Sequence, residues 1–208
     1  VSTDLQSGVT QLFTNRYAFA ALKQDGSVVT WGNSDYGGDS SSVSTDLQSG
    51  VAQIFSTRYA FAALKEDGSV ITWGSSWAGG TSSFTSGKLS SGVSQISSTE
   101  TAFAALKQDG SVVTWGSSDY GGDSSSVSTD LQSGVTQIFS TRYAFAALKQ
   151  DGSVVTWGHF DRGGDSSSVS NDLQSGVVSF ADPFRDDRLV FGSSCLLYTS
   201  DAADDSGC

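Results

Sequence analysis

The chain has a single histidine, and its position argues against acid–base or nucleophilic catalysis. His159 stands where three other copies of the same motif carry Asn33, Ser75 and Ser117. Mechanisms of the Ser-His-Asp or Cys-His type need an imidazole held beside a nucleophile, whereas a position that varies in this way is typical of the surface. No nucleophile elbow, phosphate-binding loop or His/Cys metal spacing occurs in the 208 residues. We therefore predict a protein without enzyme activity or cofactor.

Aspartates that flank a Gly-Gly pair are the nearest approach to a metal site. Asp35 and Asp39 offer the oxygen ligands that Ca²⁺ prefers. One copy of the motif carries Trp77 and Thr81 instead, and Asp with Gly is also the ordinary composition of a turn. The spacing matches no calcium loop, so we predict turns and no metal site. The other pairs are Asp119 with Asp123, and Asp161 with Asp165.

Loop aromatics and Arg-Tyr pairs are the remaining candidates for a functional surface. Exposed aromatic side chains are frequent anchors in protein interfaces, although aromatics that pack within or between the loops would give the same pattern. We predict that they form a protein-binding surface. The candidate residues are Arg16, Tyr17, Tyr36, Arg58, Tyr59, Trp77, Tyr120, Arg142, Tyr143 and Phe160.

These residues are positioned by a stretch that occurs four times, AFAALKQDGSVVTWG at residues 18–32 and close copies at 60–74, 102–116 and 144–158. Its tryptophans are each 42 residues from the next, and a fixed period of this size is typical of repeat architectures. An Asp-Gly pair between two apolar runs indicates a β-hairpin with a two-residue turn. Such a turn places Leu22 opposite Val29 and Ala20 opposite Trp31, a pairing of large against small side chains.

Both faces of this hairpin are mainly apolar, so it must be covered on both sides. Each blade of a β-propeller is covered in this way by its neighbours, and the period fits blades of roughly 40 to 50 residues. We predict an all-β fold, an incomplete β-propeller of about four antiparallel blades with a 42-residue repeat. Three strands per blade are clear, and Val43 to Leu47 fits a short fourth. Two terminal faces should stay uncovered, so the isolated chain should associate or be marginally stable.

The repeat pattern divides the chain into segments. Residues 1–7 match the end of a unit, and the complete units are 8–49, 50–91, 92–133 and 134–175. Residues 176–194 are a degenerate repeat or the start of another domain. Residues 195–208 resemble a translated sequencing-library adapter, a non-biological tail that would contain both cysteines, Cys195 and Cys208. With no methionine present, we expect a fragment of a longer repeat protein.

Comparison of the units shows where the sequence varies. The first and fourth units differ at only seven positions, and the hairpin core is nearly constant. Differences gather at Arg16-Tyr17, which is Glu100-Thr101 in the third unit, and in the loop that follows each Trp-Gly. We predict that both places lie at blade rims. Variable rims on a constant core suit a binding scaffold, and drift at exposed sites would give the same pattern.

The net charge of −11 limits the partners. Nucleic acids and anionic membranes are bound by basic patches, and none is visible here. No apolar run approaches the roughly 20 residues that a membrane span requires. We expect a protein partner, no nucleic acid and no membrane segment. The sequence does not determine the compartment, although a secreted or cell-surface location is slightly favoured.

The units resemble the regulator-of-chromosome-condensation repeats, through Ala21-Leu22, Asp25-Gly26 and Trp31-Gly32 and their counterparts across 8–175. The resemblance implies a propeller, commonly of seven blades, that makes protein–protein contacts. A bacterial β-lactamase inhibitor protein resembles the same architecture. Gly37-Gly38-Asp39-Ser40 replaces the family's Gly-Gln-Leu-Gly, and Tyr17 or Thr101 stands where a histidine is frequent. The units are therefore closer to the shorter bacterial-type repeats, and nucleotide-exchange activity is not implied.

Two functions remain open from the sequence. The first is a non-catalytic protein-binding scaffold that acts through its rim loops. The alternative is a structural spacer or an accessory domain of a large surface protein or multidomain enzyme.

Overall fold

The computed structural model describes residues 5–83, 85 and 87–178, and these form four antiparallel sheets of three strands each. The strands are β1 Val9–Thr14, β2 Ala18–Lys23, β3 Val28–Gly32, β4 Val51–Ser56, β5 Ala60–Lys65, β6 Val70–Gly74, β7 Val93–Ser98, β8 Ala102–Lys107, β9 Val112–Gly116, β10 Val135–Ser140, β11 Ala144–Lys149 and β12 Val154–Gly158. Within each sheet the strands pair in chain order. Because the described sheets do not close into a ring, the fold is an incomplete β-propeller, as predicted.

Short 3-10 helices follow the third strand of each sheet. They occupy Ser34–Tyr36, Ser41–Val43, Ser76–Ala78, Ser118–Tyr120, Ser125–Val127, Phe160–Arg162 and Ser167–Leu173. No helix among the described residues has the length and apolar character needed to span a lipid bilayer.

The hairpin turn has three residues, so the predicted two-residue turn and its register are wrong. Lys23 N–H donates to Ser27 O at 2.9 Å, and Gly26 adopts a left-handed conformation with φ +75°. The Asp25 carboxylate accepts from the Ser27 amide at 3.0 Å and from its hydroxyl at 2.6 Å. This is the three-residue hairpin turn that ends in a left-handed glycine. A Cβ at position 26 would also lie 2.7 Å from the Gly50 nitrogen, so a glycine is required there.

The corrected register pairs each tryptophan with a phenylalanine instead of an alanine. Trp31 lies opposite Phe19 and Val29 lies opposite Ala21, one position away from the prediction. The rings of Phe19 and Trp31 stack with their centroids 5.2 Å apart, and the other three sheets repeat this pair. Each sheet therefore carries its Phe-Trp pair on one face only.

The expected fourth strand is absent from the described residues. Ser41–Val43 forms a 3-10 helix whose first amide is bound by the Asp39 carboxylate at 2.8 Å, and turns continue from there to Leu47. Leu47 is buried, and its carbonyl accepts from Val28 N–H at 2.9 Å. The loop thus packs against the start of β3 through one backbone hydrogen bond. The ladder of hydrogen bonds that a fourth strand would make is not formed by these residues.

The sheets stack face to face in chain order. We call the face that carries the Phe-Trp pair the leading face, and the opposite face the trailing face. Ala18, Ala20 and Leu22 on the trailing face of the first sheet pack against the leading face of the second, which carries Phe61 and Trp73. The next two junctions repeat this packing. The core of the molecule is therefore a series of equivalent layers between sheets.

One hydrogen bond marks each junction between sheets. The indole N–H of Trp73 donates to Gly37 O of the preceding sheet at 3.1 Å. Trp115 and Trp157 make the same bond to Gly79 O and Gly121 O, at 3.1 and 3.0 Å. A buried indole N–H needs such a partner, so the glycine loop is part of the packing at every junction.

Several predictions from the sequence lie outside the described residues. These concern residues 1–4, the degenerate repeat beyond residue 178, and the tail 195–208 with Cys195 and Cys208. Residues 176–178, which are described, form no strand.

Candidate protein-binding surface

The two places where the units vary lie side by side in the fold. One is the turn between the first and second strands of each sheet, and the other is the 3-10 helix after the third strand. Asn15 Nδ2 donates to Tyr36 O at 2.7 Å, which ties the two places together in the first sheet. Thr57 and Thr99 make the equivalent bonds to Ala78 O and Tyr120 O, both at 3.0 Å. Loops that the sequence separates by about half a unit therefore form one edge of each sheet.

Backbone hydrogen bonds join these edges into a continuous surface. Arg16 N–H donates to Arg58 O at 3.3 Å, and Arg58 N–H donates to Glu100 O at 2.8 Å. Glu100 N–H continues the series to Arg142 O at 2.9 Å. The four turns are thus held in a fixed row, and the side chains that they carry are positioned by the sheets beneath them.

Four aromatic side chains from the first two sheets form one cluster. The centroid of the Tyr17 ring lies 4.8 Å from that of Tyr36 and 5.8 Å from that of Tyr59. Tyr59 in turn lies 5.2 Å from Tyr36 and 4.9 Å from Trp77. Tyr17 and Trp77 are exposed. We call Tyr17, Tyr36, Tyr59 and Trp77 the first aromatic cluster.

A second aromatic cluster spans the third and fourth sheets. It consists of Tyr120, Tyr143 and His159. The ring centroids of the two tyrosines lie 5.6 Å apart, and the centroid of the imidazole lies 6.4 Å from that of Tyr120 and 6.2 Å from that of Tyr143. Phe160, which the sequence placed in the surface, is 70% exposed and makes no ring contact with this cluster in the described part of the chain. His159 is the residue of this loop whose ring contacts the two tyrosines.

Sequence reasoning set His159 aside as surface variation. Its Nδ1 is buried without a hydrogen-bond partner among the described residues. The signal that could have found it is its position, directly after Trp157-Gly158 at the start of the variable loop.

Each arginine of this surface lies over a tyrosine ring. Arg16, Arg58 and Arg142 each cover the tyrosine that follows in the sequence, with the guanidinium carbon 5.5, 5.5 and 5.2 Å from the ring centroid. Arg162, which the sequence did not single out, lies 4.9 Å from the centroid of Tyr143. At these distances the cation is attracted by the face of the ring, so each guanidinium group is held over a tyrosine ring by the chain itself.

Glu100 joins the two clusters through an ion-pair network. Its carboxylate accepts from Arg142 Nε at 2.9 Å and from Arg142 Nη2 at 2.8 Å, and it also accepts from Arg58 Nη1. The hydrogen bonds from Arg142, and then those from Arg58, hold the pKa of Glu100 below its usual value against the opposing effect of burial. The exchange of Arg-Tyr for Glu100-Thr101 in the third unit therefore supplies the acid that two neighbouring arginines share.

The surface concentrates two residue types. All five tyrosines and all four arginines of the described residues belong to it. The second strands instead end in a lysine, at the hairpin turns. Tyr and Arg are the types most enriched at binding hot spots, together with Trp, and the fold brings them to one edge.

The Gly-Gly aspartates have a structural role. Asp39, Asp123 and Asp165 each accept a hydrogen bond from a serine amide two residues on, at 2.8 to 2.9 Å. For Asp39 this bond is the main cause of a pKa below the usual value. No cluster of three or more His, Cys, Asp or Glu side chains suited to a metal ion occurs among the described residues.

Comparison with known proteins gives structural neighbours only. No family model matches the sequence, and no curated protein matches it. Prp20p from Saccharomyces cerevisiae, solved in a study of its binding to Gsp1p and histones, has 19% identity over 74% of this chain and 44% of its own, with a TM-score of 0.47. Yeast RCC1 (Prp20) bound to Kap60 has 21% identity over 74% of this chain and 42% of its own, with a TM-score of 0.49. Human WBSCR16 has 20% identity over 74% of this chain and 48% of its own, with a TM-score of 0.45.

The chain spans less than half the length of each of these structures. Its own strand order, register and stacking define the architecture. The chain has the fold of an incomplete β-propeller.

Proposed function

We propose that the chain is a non-catalytic scaffold that binds a protein partner through the two aromatic clusters and the arginines stacked on them. The segregation of tyrosine and arginine to one edge of the sheets is the observation that supports this function. The partner would lie across the row of turns and contact both clusters, with the Glu100 network between them.

The chemistry of the surface suits a protein partner. Tyrosine and tryptophan supply large contact areas at a low cost in conformational entropy, because each has only two side-chain torsions. The cation–π contacts hold the guanidinium groups in place before binding, which lowers the ordering cost further. The chain carries a net charge of −11, so this surface and not the bulk charge would select the partner.

The third sheet offers a substitution that the fold already tolerates. Thr101 occupies the place of Tyr59 and Tyr143 in its own sheet, whose strands keep the same bounds relative to the repeat. Tyr59→Thr and Tyr143→Thr should therefore remove one ring from each cluster and leave the sheets intact. Gln137→Ala is a matched control, since Gln137 is exposed on β10.

The test begins with selection of binders from displayed libraries of protein fragments against the full chain. Calorimetric titration of the selected binder then compares the variants. We expect each Tyr→Thr change to weaken the Kd about tenfold or more, a loss of about 1.4 kcal/mol per factor of ten, while Gln137→Ala leaves the Kd unchanged. A binder whose Kd is unchanged by both substitutions would contradict the proposal and favour the structural-spacer alternative.

A further inference from the structure

No described residue covers the leading face of the first sheet. Leu12 is 61% exposed, whereas its counterparts Ile54, Ile96 and Ile138 are 2 to 3% exposed. Phe19 is 44% exposed, whereas the phenylalanines at the same position in the other three sheets are at most 1% exposed. The side chains that form the core of every internal junction therefore face solvent at this end of the stack.

The trailing face of the fourth sheet is uncovered as well. Ala146 is partly exposed, whereas Ala20, Ala62 and Ala104 at the same position are fully buried. A Cβ added to Gly163 would meet only Ala144 at 3.9 Å, whereas one added to Gly37 would lie 2.7 Å from Phe61 of the next sheet. The fourth sheet lacks the next leading face among the described residues.

The two open faces are matched in chemistry. Residues 144–158 are identical to residues 18–32, so the fourth sheet presents the same trailing hairpin that already covers Phe61 and Trp73 inside the chain. The first sheet presents the same leading face as the fourth, with Leu12 in place of Ile138 and Thr14 in place of Ser140. An interface that the chain builds three times internally is therefore available once more between its ends.

Hydrogen-bonding groups at the two ends are also complementary. The tryptophans at the same position in the other three sheets donate their indole N–H to a glycine carbonyl of the preceding sheet, but within the described residues the Trp31 indole has no such acceptor. Gly163 is the glycine at the corresponding position of the fourth sheet, and its carbonyl receives no indole there. In the part of the chain that the structure describes, the row of turns ends at Arg142, and no following turn accepts a hydrogen bond from its N–H.

We propose that two copies of this chain associate head to tail, with the trailing face of each fourth sheet covering the leading face of the other copy's first sheet. Trp31 N–H then donates to Gly163 O of the second copy, and Arg142 N–H donates to Arg16 O. Both junctions repeat the packing between the first and second sheets. This inference rests on the apolar sheet faces, whereas the proposed protein-binding function rests on the side chains of the turns.

Closure at two copies follows from the number of blades. A head-to-tail interface forms a ring where its rotation closes and an open fibre where it does not. β-Propellers have typically 4 to 8 blades, and the four described sheets do not close on themselves. The described residues of two copies form eight sheets, and eight is the one remaining multiple of four in that range. The dimer would leave neither apolar face exposed.

The first test is the molar mass of the full chain by light scattering during gel filtration. The wild-type chain should have twice the chain mass of 21.6 kDa. Leu12→Asp places a charge in both junctions and should give the single-chain mass. Gln11→Asp is the matched control, because Gln11 and its counterpart Gln53 are both exposed whether or not the face is covered, and this variant should stay dimeric. A wild-type monomer, or a series of larger polymers, would overturn the proposal.

The second test separates head-to-tail association from pairing of two identical faces. Ala146→Asp changes only the trailing face of the fourth sheet and should also give monomers. A mixture of the Leu12→Asp and Ala146→Asp chains retains one unmodified junction per pair, so it should recover dimers and thereby show that both variants are folded. If Ala146→Asp alone remains dimeric, or if the mixture stays monomeric, the head-to-tail arrangement is wrong.

Discussion

Among the described residues, Glu100 is the one acidic side chain that lies between two arginines of neighbouring turns. Its carboxylate is mostly shielded, with 11% of the side chain exposed, and Arg142 and Arg58 lower its pKa. A lowered pKa means that the folded chain favours the ionised form more than the unfolded chain does. The resulting stabilisation is fully present above the ordinary carboxyl pKa of 4.5 and is lost as the pH falls through the lower folded value.

Replacement of this acid should therefore give a small, pH-dependent loss of stability. We expect Glu100→Gln to lower the free energy of unfolding by about 0.5–1 kcal/mol at neutral pH, because both arginines are partly solvated. The difference from wild type should shrink as the pH falls below 4.5. Urea denaturation across this pH range measures it, with the exposed Glu66→Gln as control. A difference that grows in acid would refute the network as its source.

The strand-turn-strand elements show how far sequence reasoning reaches. The 42-residue period, the apolar character of both hairpin faces and the Trp-Gly ends were enough to predict antiparallel blades, and these are confirmed. The register was missed because Asp-Gly suits both a two-residue and a three-residue turn. The hydrogen bonds from Ser27 to the Asp25 carboxylate accompany the longer turn, and their local pattern, Asp-x-Ser, was visible in the sequence.

The surface was predictable only in part, for a different physical reason. Variation between units marked both loops, and nine of the ten candidate residues lie in the clusters or beside them as stacked arginines. The contacts that define the clusters cross between sheets, for example from Tyr17 to Tyr59. Such contacts depend on the stacking of sheets, which a single-unit pattern does not contain. His159, Arg162 and the shared role of Glu100 were missed for this reason.

The junction between sheets predicts unequal effects for equivalent tryptophans. Trp73 is buried, stacks on Phe61 and donates to Gly37 O, so Trp73→Ala should cost about 3–5 kcal/mol. Trp31 occupies the same position on the open face, and Trp31→Ala should cost clearly less in the single chain. Chemical denaturation in a Leu12→Asp background, which keeps the chain monomeric, makes the comparison. Equal losses at the two positions would show that the first leading face is covered within the chain.

At the scale of the whole molecule, association and folding should be linked. A dimer that buries both open faces is stabilised by mass action, so its Tm rises with protein concentration. Each tenfold increase adds about 1.4 kcal/mol to a two-chain assembly, shared between the chains, which corresponds to about 2 °C in Tm. Scanning calorimetry over two decades of concentration should show this slope for the wild type and for Gln11→Asp. Leu12→Asp should give a Tm that does not depend on concentration, and a slope retained in that variant would mean that the chain associates through some other surface, the aromatic clusters included.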